Sequence, residues 1–301
     1  MTSAWLGDNI SDWWHYRNSI AGVLGFASIY QIPLVGADVC GFGGNTTDTL
    51  CARWTTLGAF HPFYRNHDDI AGIPQEPFLW PIVASAARKA IGIRYQLLDY
   101  LYTSMWRQSF DGTPSIYALW FEYPQDTETY GMDLQFFFGP SIMVAPVTQE
   151  NSTSVDIYLP DDVWYDYISH ERVSPGKHTL KDIAFDEIPL YIKGGSILPL
   201  RQAQGAMTTE EVRGRDFELL IVPGKDGMAK GELYVDDGES LVQEKTTHMA
   251  FEYAKGSLRV TGNFDYPVGV KLVGIEVLDG RVAHKVMGRK WDLEKNLHIR
   301  L

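Results

Sequence analysis

The sequence predicts an α/β segment followed by an all-β region, with the change near residue 133. Three observations carry this. Before that point, helical apolar periodicity alternates with short apolar runs, and strand–helix alternation implies a parallel sheet. After it, short β-prone runs succeed one another, and many short antiparallel strands at this spacing suggest sandwiches. Turn signals separate them, among them Pro160-Asp161-Asp162, Pro175-Gly176, Gly194-Gly195 and Asp236-Asp237-Gly238.

In chain order, Ser11 is placed to cap a helix through Trp13, Ile20, Val23 and Leu24. Residues 32–37 read as a short buried strand ending at Asp38. A second helix starts at Thr47 or Asp48 and carries Leu50, Trp54 and Leu57. The clearest helix opens near Trp80-Pro81. From Ile82 to Met105 its apolar residues recur at three- and four-residue steps, one continuous stripe. After the turn at Asp111-Gly112, residues 115–121 read as a strand. The β region then offers runs at 141–147, 155–159, 163–168 and 188–192. A second series follows at 217–222, 231–235, 251–253, 258–261 and 270–278, and the polar stretch 201–215 separates the two.

A length of 301 residues suits two domains, or one large domain with an appendage. The net charge of -12 argues against nucleic acid, whose phosphates need basic patches, and favours a neutral or cationic ligand. No apolar stretch approaches membrane-spanning length, and Met1-Thr2-Ser3 shows no basic or apolar leader. Aromatics are 13% of the chain; most serve packing, but their faces also stack on sugar rings. Cys40 and Cys51 read either as two buried thiols or as a short-loop disulfide. Three sequons begin at Asn9, Asn45 and Asn151 and fit an exported protein; Asn9 adjoins a site residue and is set aside, leaving Asn45 and Asn151.

Trp5-Leu6-Gly7-Asp8-Asn9 is the most informative segment. A carboxyl beside an indole and a tight glycine turn suits a proton donor, because apolar neighbours disfavour the charged form. The bland alternative is an Asp that caps the following helix. Asp38 follows a strand and precedes the glycine-rich turn Cys40-Gly41-Phe42-Gly43-Gly44; the alternative is a turn-stabilising Asp. His67, in Arg65-Asn66-His67-Asp68-Asp69, offers a hydrogen bond to a hydroxyl, or belongs to a polar loop. None of the usual zinc spacings occurs, Asp236-Asp237-Gly238-Glu239 lacks calcium-loop spacing, and no cofactor is assigned.

The order of these motifs closely resembles glycoside hydrolase family 31, most of all its secreted eukaryotic α-glucosidases. Gly36-Ala37-Asp38-Val39-Cys40-Gly41-Phe42 and Gly58-Ala59-Phe60-His61-Pro62 through His67 carry the likeness, as do Phe138-Gly139-Pro140 through Val147 and Tyr234-Val235-Asp236-Asp237-Gly238-Glu239. The resemblance implies the C-terminal part of a (β/α)8 TIM barrel over 1–132, then two antiparallel β-sandwich domains over 133–208 and 209–301. It implies Asp8 as general acid/base, Asp38 and His67 holding sugar hydroxyls, and Trp5 and Phe42 walling the subsite for the terminal glucose. It also implies a Cys40–Cys51 disulfide, the secretory pathway and an α-glucoside oligosaccharide substrate.

One departure is large. The family's nucleophile segment, Trp-x-Asp-Met-Asn-Glu-like, occurs nowhere in the 301 residues. A retaining glycosidase needs two carboxylates about 5–5.5 Å apart. The chain is therefore expected to be the C-terminal portion of a longer α-glucosidase acting on maltose-like oligosaccharides or starch, inactive alone, with the missing N-terminal part as its partner. The rival readings are a non-catalytic sugar-binding or assembly subunit of a two-chain glucosidase, and part of an α-transglucosylase.

Overall fold

The computed structural model describes residues 3–280 and 284–301; the Met1-Thr2 start lies outside them. The chain divides into two compact units. One comprises Met1–Arg94, Arg107–Asp161 and Pro175–Tyr191; the other comprises Tyr95–Trp106, Asp162–Ser174 and Ile192–Leu301. No described helix is long and apolar enough to cross a membrane.

The first unit opens with strands and helices in alternation. Strand β1 (Ser3–Trp5) pairs in parallel with β2 (Leu34–Gly36), setting Trp5 opposite Gly36. Helix α1 (Trp13–Leu24) connects them and buries Tyr16, Ile20, Val23 and Leu24. Its cap is Asp12, not Ser11: Asp12 Oδ1 accepts the His15 amide at 2.7 Å. The Ser11 amide is committed elsewhere, donating to Gly43 O at 2.9 Å. The strand expected to end at Asp38 is instead two short pieces. β2 stops at Gly36, and β3 (Asp38–Val39) pairs in parallel with β4 (Arg65–Asn66). The carboxyl ends of β1, β3 and β4 therefore feed neighbouring loops.

Helix α2 (Asp48–Gly58) lies between β3 and β4, capped by Thr47, whose hydroxyl accepts the Leu50 amide at 3.2 Å. Nine of its eleven residues are buried, so it has no solvated face. The long apolar stripe resolves into two helices, α3 (Pro81–Gln96) and α4 (Leu98–Asp111), broken at Leu97. The stripe continues across the break, with Leu97 and Leu101 both buried. β5 (Ile116–Ala118) is shorter than expected because Leu119–Glu122 turns helical. It forms an antiparallel meander with β6 (Phe136–Phe138) and β7 (Ile142–Val144), all nine residues buried. A separate hairpin pairs Val155–Leu159 with Gly176–Leu180.

The second unit is built on one eight-stranded sheet. Its middle strand, Ser196–Arg201, pairs antiparallel with Phe217–Val222 and touches Met228–Val235 in parallel through Ser196 and Lys230. Met228–Val235, Thr247–Ala254 and Ser257–Phe264 follow as antiparallel neighbours. On the other side Phe217–Val222 runs parallel to Lys271–Val277. Inward residues such as Leu233, Met249, Phe251, Val260 and Leu272 form one apolar core.

Candidate functional site

The site is assembled from loops that leave the carboxyl ends of β1, β3 and β4. Asp8 sits in the bend after β1 and is exposed. The apolar surroundings argued from the sequence are therefore not supplied to Asp8 by these residues. Asp8 is not the cap of α1 either, since Asp12 holds that position. Trp5, at the end of β1, is 49% exposed, so its indole face is open.

Asn9 fixes this loop to its neighbour. Its Nδ2 donates to Asp38 O at 3.0 Å, and its Oδ1 accepts the Asp38 amide at 3.1 Å. The amide side chain thereby acts as one rung of a strand ladder. Its own carbonyl accepts the Phe42 and Gly43 amides at 2.7 and 3.1 Å. Gly41 makes this approach possible: it sits at φ +92°, and a Cβ there would lie 2.4 Å from Ser11 Cα. Gly36 serves the same end, since a Cβ would fall 1.9 Å from Phe63 O.

Asp38 is fully buried. Its Oδ1 accepts from Arg65 Nε at 2.9 Å and also from Arg65 Nη2. Its Oδ2 is buried without a hydrogen-bond partner among the described residues. The carboxylate therefore does not face the open side of the site; the half-buried Arg65 does. The Arg65 guanidinium lies 5.7 Å from the Trp5 ring and 5.2 Å from the Phe63 ring.

His67 follows β4, is exposed, and brings its ring to 5.1 Å from that of Phe42. The Asp69 amide donates to Phe42 O at 3.0 Å, holding the two loops together. Gln75 reinforces them, its Nε2 donating to Gly41 O at 2.9 Å and to Asn66 Oδ1 at 3.2 Å. Burial pushes the neighbouring Asp68 carboxyl up, with the Asp69 and Glu76 charges adding to the effect. Cys40 and Cys51 are disulfide-bonded, tying the loop to α2. Among the described residues no cluster of metal-ligating side chains converges.

The structure thus brings Trp5 and Asp38, in β1 and β3, together with Asp8, Phe42 and His67 on the adjoining loops. Sequence reasoning gave no role to Asn9, Arg65 or Gln75. One signal for Arg65 existed: a buried carboxylate demands a cation, and Arg65 opens the polar segment 65–69.

Residues 1–104 match a family model described as the TIM-barrel domain of glycosyl hydrolases family 31, and residues 112–198 match one described as the C-terminal domain of glycosyl hydrolase family 31. The chain is 52% identical over 276 residues to a probable alpha/beta-glucosidase agdC of Neosartorya fischeri, covering 91% of this chain and 31% of the relative. It is 44% identical over 242 residues to an alpha-glucosidase of Hordeum vulgare, covering 79% and 27%. The chain therefore spans about a third or less of the length of these curated relatives. Among solved structures it resembles a Tris-bound glucosidase II alpha subunit, with TM-score 0.84, 32% identity, and coverage of 91% of this chain and 31% of that one. It also resembles an ER glucosidase II complex of catalytic subunit and regulatory-subunit binding domain, with TM-score 0.85, 29% identity and coverage of 98% and 36%. The α/β segment is accordingly part of a TIM barrel, and the β-rich remainder is its C-terminal region.

Proposed function

The chain belongs to glycoside hydrolase family 31, and from that premise we propose that it carries the acid/base side of a retaining α-glucosidase site. Asp8 protonates the departing glycosidic oxygen and then deprotonates the attacking water. Trp5 and Phe42 wall the glucose subsite, and His67 bonds a sugar hydroxyl. Asp38 acts through Arg65, which it orients toward the sugar. The nucleophilic carboxylate comes from outside these 301 residues. The parent enzyme releases terminal non-reducing α-linked glucose from maltose-like substrates, in the secretory pathway. This reading keeps the division into a barrel part over 1–132 and two β-sandwiches over 133–208 and 209–301.

One observation carries the proposal: Asp8 follows the carboxyl end of β1 and His67 that of β4, and Asn9 ties the first loop to Asp38 of β3, the strand paired with β4, so both side chains leave the strand ends where barrel enzymes hold their chemistry. The exposure of Asp8 fits it, because the wall that would desolvate the acid is then completed by the part carrying the nucleophile. The relatives described as a probable alpha/beta-glucosidase and as an alpha-glucosidase support a glucoside as the substrate class.

The test has two arms. The isolated chain should not turn over a nitrophenyl α-glucoside; turnover abolished by Asp8→Asn would show that no outside carboxylate is needed. Exchanging residues 1–301 into the aligned region of the Neosartorya fischeri relative should give a folded enzyme that hydrolyses maltose and loses activity with Asp8→Asn. A folded chimera whose activity is indifferent to Asp8→Asn removes the acid/base assignment.

A further inference from the structure

The second unit holds a cavity of about 450 Å³ lined by residues 163–279, outside the stretch 5–67 that carries the site above. Four chain segments converge on it. Strand Trp164–Asp166 contributes Tyr165, and Arg172 follows in the next strand. The turn Pro223-Gly224-Lys225 and the turn Tyr253 to Gly256 close two sides, the latter bringing Lys255. Leu278 and Asp279 complete the lining.

The charge balance of this lining is opposite to that of the chain. The protein carries -12 overall, whereas the cavity gathers Arg172, Lys225 and Lys255 against the single carboxylate of Asp279. A concave site lined by one sign of charge focuses its field on a counter-ion. Arg172 and Tyr165 also lie close to each other, both against Gly280: a Cβ built there would lie 3.5 Å from both Arg172 Nη1 and the Tyr165 hydroxyl. Burial pushes the Tyr165 phenol up, opposed by Arg172 and assisted by Asp279. The hydroxyl therefore stays a donor at neutral pH. A guanidinium fork, a phenol O–H and two ammonium groups form the donor set that an oxyanion accepts from.

We propose that this cavity binds an oxyanion of the phosphate class, free or carried as a monoester on a small molecule. Asp279, the one carboxylate of the lining, opposes that binding by like-charge repulsion. This site is independent of the glucosidase reading.

Phosphorus NMR line broadening on the 301-residue chain tests it, with inorganic phosphate and glucose 6-phosphate as separate probes. Lys255 lies at φ +50°, so it is replaced by asparagine, which tolerates that backbone. Saturable binding is expected, weakened about tenfold in Lys225→Gln/Lys255→Asn and tightened about threefold in Asp279→Asn. Lys181→Gln, an exposed lysine of the other unit, should change nothing. Tighter binding of glucose 6-phosphate assigns a monoester; equal binding of both probes assigns the free anion. Absence of saturation, or equal weakening by Lys181→Gln, overturns the proposal.

Discussion

Arg65 holds Oδ1 of Asp38 through its Nε at 2.9 Å, and the two partners differ in exposure: the Asp38 side chain has none, whereas Arg65 keeps about a third of its area in solvent (35%). The acid is thus the anchored partner and the base is the one presented outward. Removing the cation strands a carboxylate whose second oxygen already lacks a partner. Arg65→Leu should cost about 3 kcal/mol in urea unfolding, in the range seen when one member of a buried pair is deleted. Adding Asp38→Asn should return much of that loss, since it removes the buried charge. A cost for Arg65→Leu of the size typical of surface substitutions would contradict the anchoring.

Asn9 presents the sharpest contrast between donor and acceptor in the site. Its Nδ2 points at Asp38 O and its Oδ1 at the Asp38 amide. Asn9→Asp is nearly isosteric, yet it sets an oxygen against a carbonyl oxygen in a buried place. A loss of about 2 kcal/mol is expected from the unsatisfied acceptor. Thermal denaturation at pH 7 reads it, and an unchanged midpoint would show that the rung does not hold the loop.

The same bonds sort the three sequons. A glycan on Asn9 would have to be carried on the buried Nδ2 that is turned to Asp38 O. Asn45 and Asn151 are exposed, and among the described residues their side-chain oxygens accept from the Ile73 amide and the Thr49 hydroxyl while Nδ2 donates no bond. Expression through a eukaryotic secretory pathway should give folded chain glycosylated at Asn45 and Asn151 and bare at Asn9. Peptide mass spectrometry checks this, and a glycan on Asn9 of the folded protein would falsify the assignment.

His61 couples stability to pH. It is buried with neither ring nitrogen hydrogen-bonded among the described residues, and burial lowers its pKa from 6.5 to about 3, with the Arg94 charge adding to the effect. Between those values the unfolded chain binds a proton that the folded chain refuses. Stability from this residue is therefore full above pH 6.5 and declines as the pH falls towards 3. Each pH unit in that window costs up to about 1.4 kcal/mol, so roughly 2 kcal/mol is lost by pH 5. His61→Leu should lose less stability than the parent between pH 7 and pH 5; parallel pH profiles would remove His61 as the cause.

Local signals were legible where one residue type suffices. Thr47 before Asp48 marked the start of α2, and the bounded β-prone runs at 155–159 and 217–222 matched those strands to the residue. The break at Leu97 was not legible, because the apolar period runs through it and only the backbone changes. Ser196–Arg201 was hidden by the Gly194-Gly195 turn before it and by Pro199, which can occupy a strand only where no ladder bond needs its missing N–H. His284–Asp292 pairs on one side only, at an end of the sheet order, so the polar run there gives no apolar alternation to read. The site motifs were legible as segments. Their pairing was not, since Asp38 and Arg65 are 27 residues apart and joined by β3–β4 pairing that no spacing encodes.

Arg53 carries the last prediction. Helix α2 has no wet face, so a guanidinium on it must find its acceptors inside the protein. Nη1 donates to Ala184 O at 2.7 Å and Glu187 O at 3.0 Å; Nη2 donates to Ser152 O at 3.0 Å and Ile183 O at 2.9 Å. Its Cζ lies 4.8 Å from the Phe185 ring. Four carbonyls from two loops are thereby satisfied by one planar fork, a geometry that an ammonium group with three donors at a single point does not reproduce. Arg53→Lys should therefore destabilise almost as much as Arg53→Met, each by about 3 kcal/mol, because both strip several part-buried carbonyls of their shared donor. Hydrogen exchange should show amide protection lost around 183–187 in both variants. If Arg53→Lys retained that protection and the parental midpoint, charge rather than fork geometry would be what the four carbonyls require.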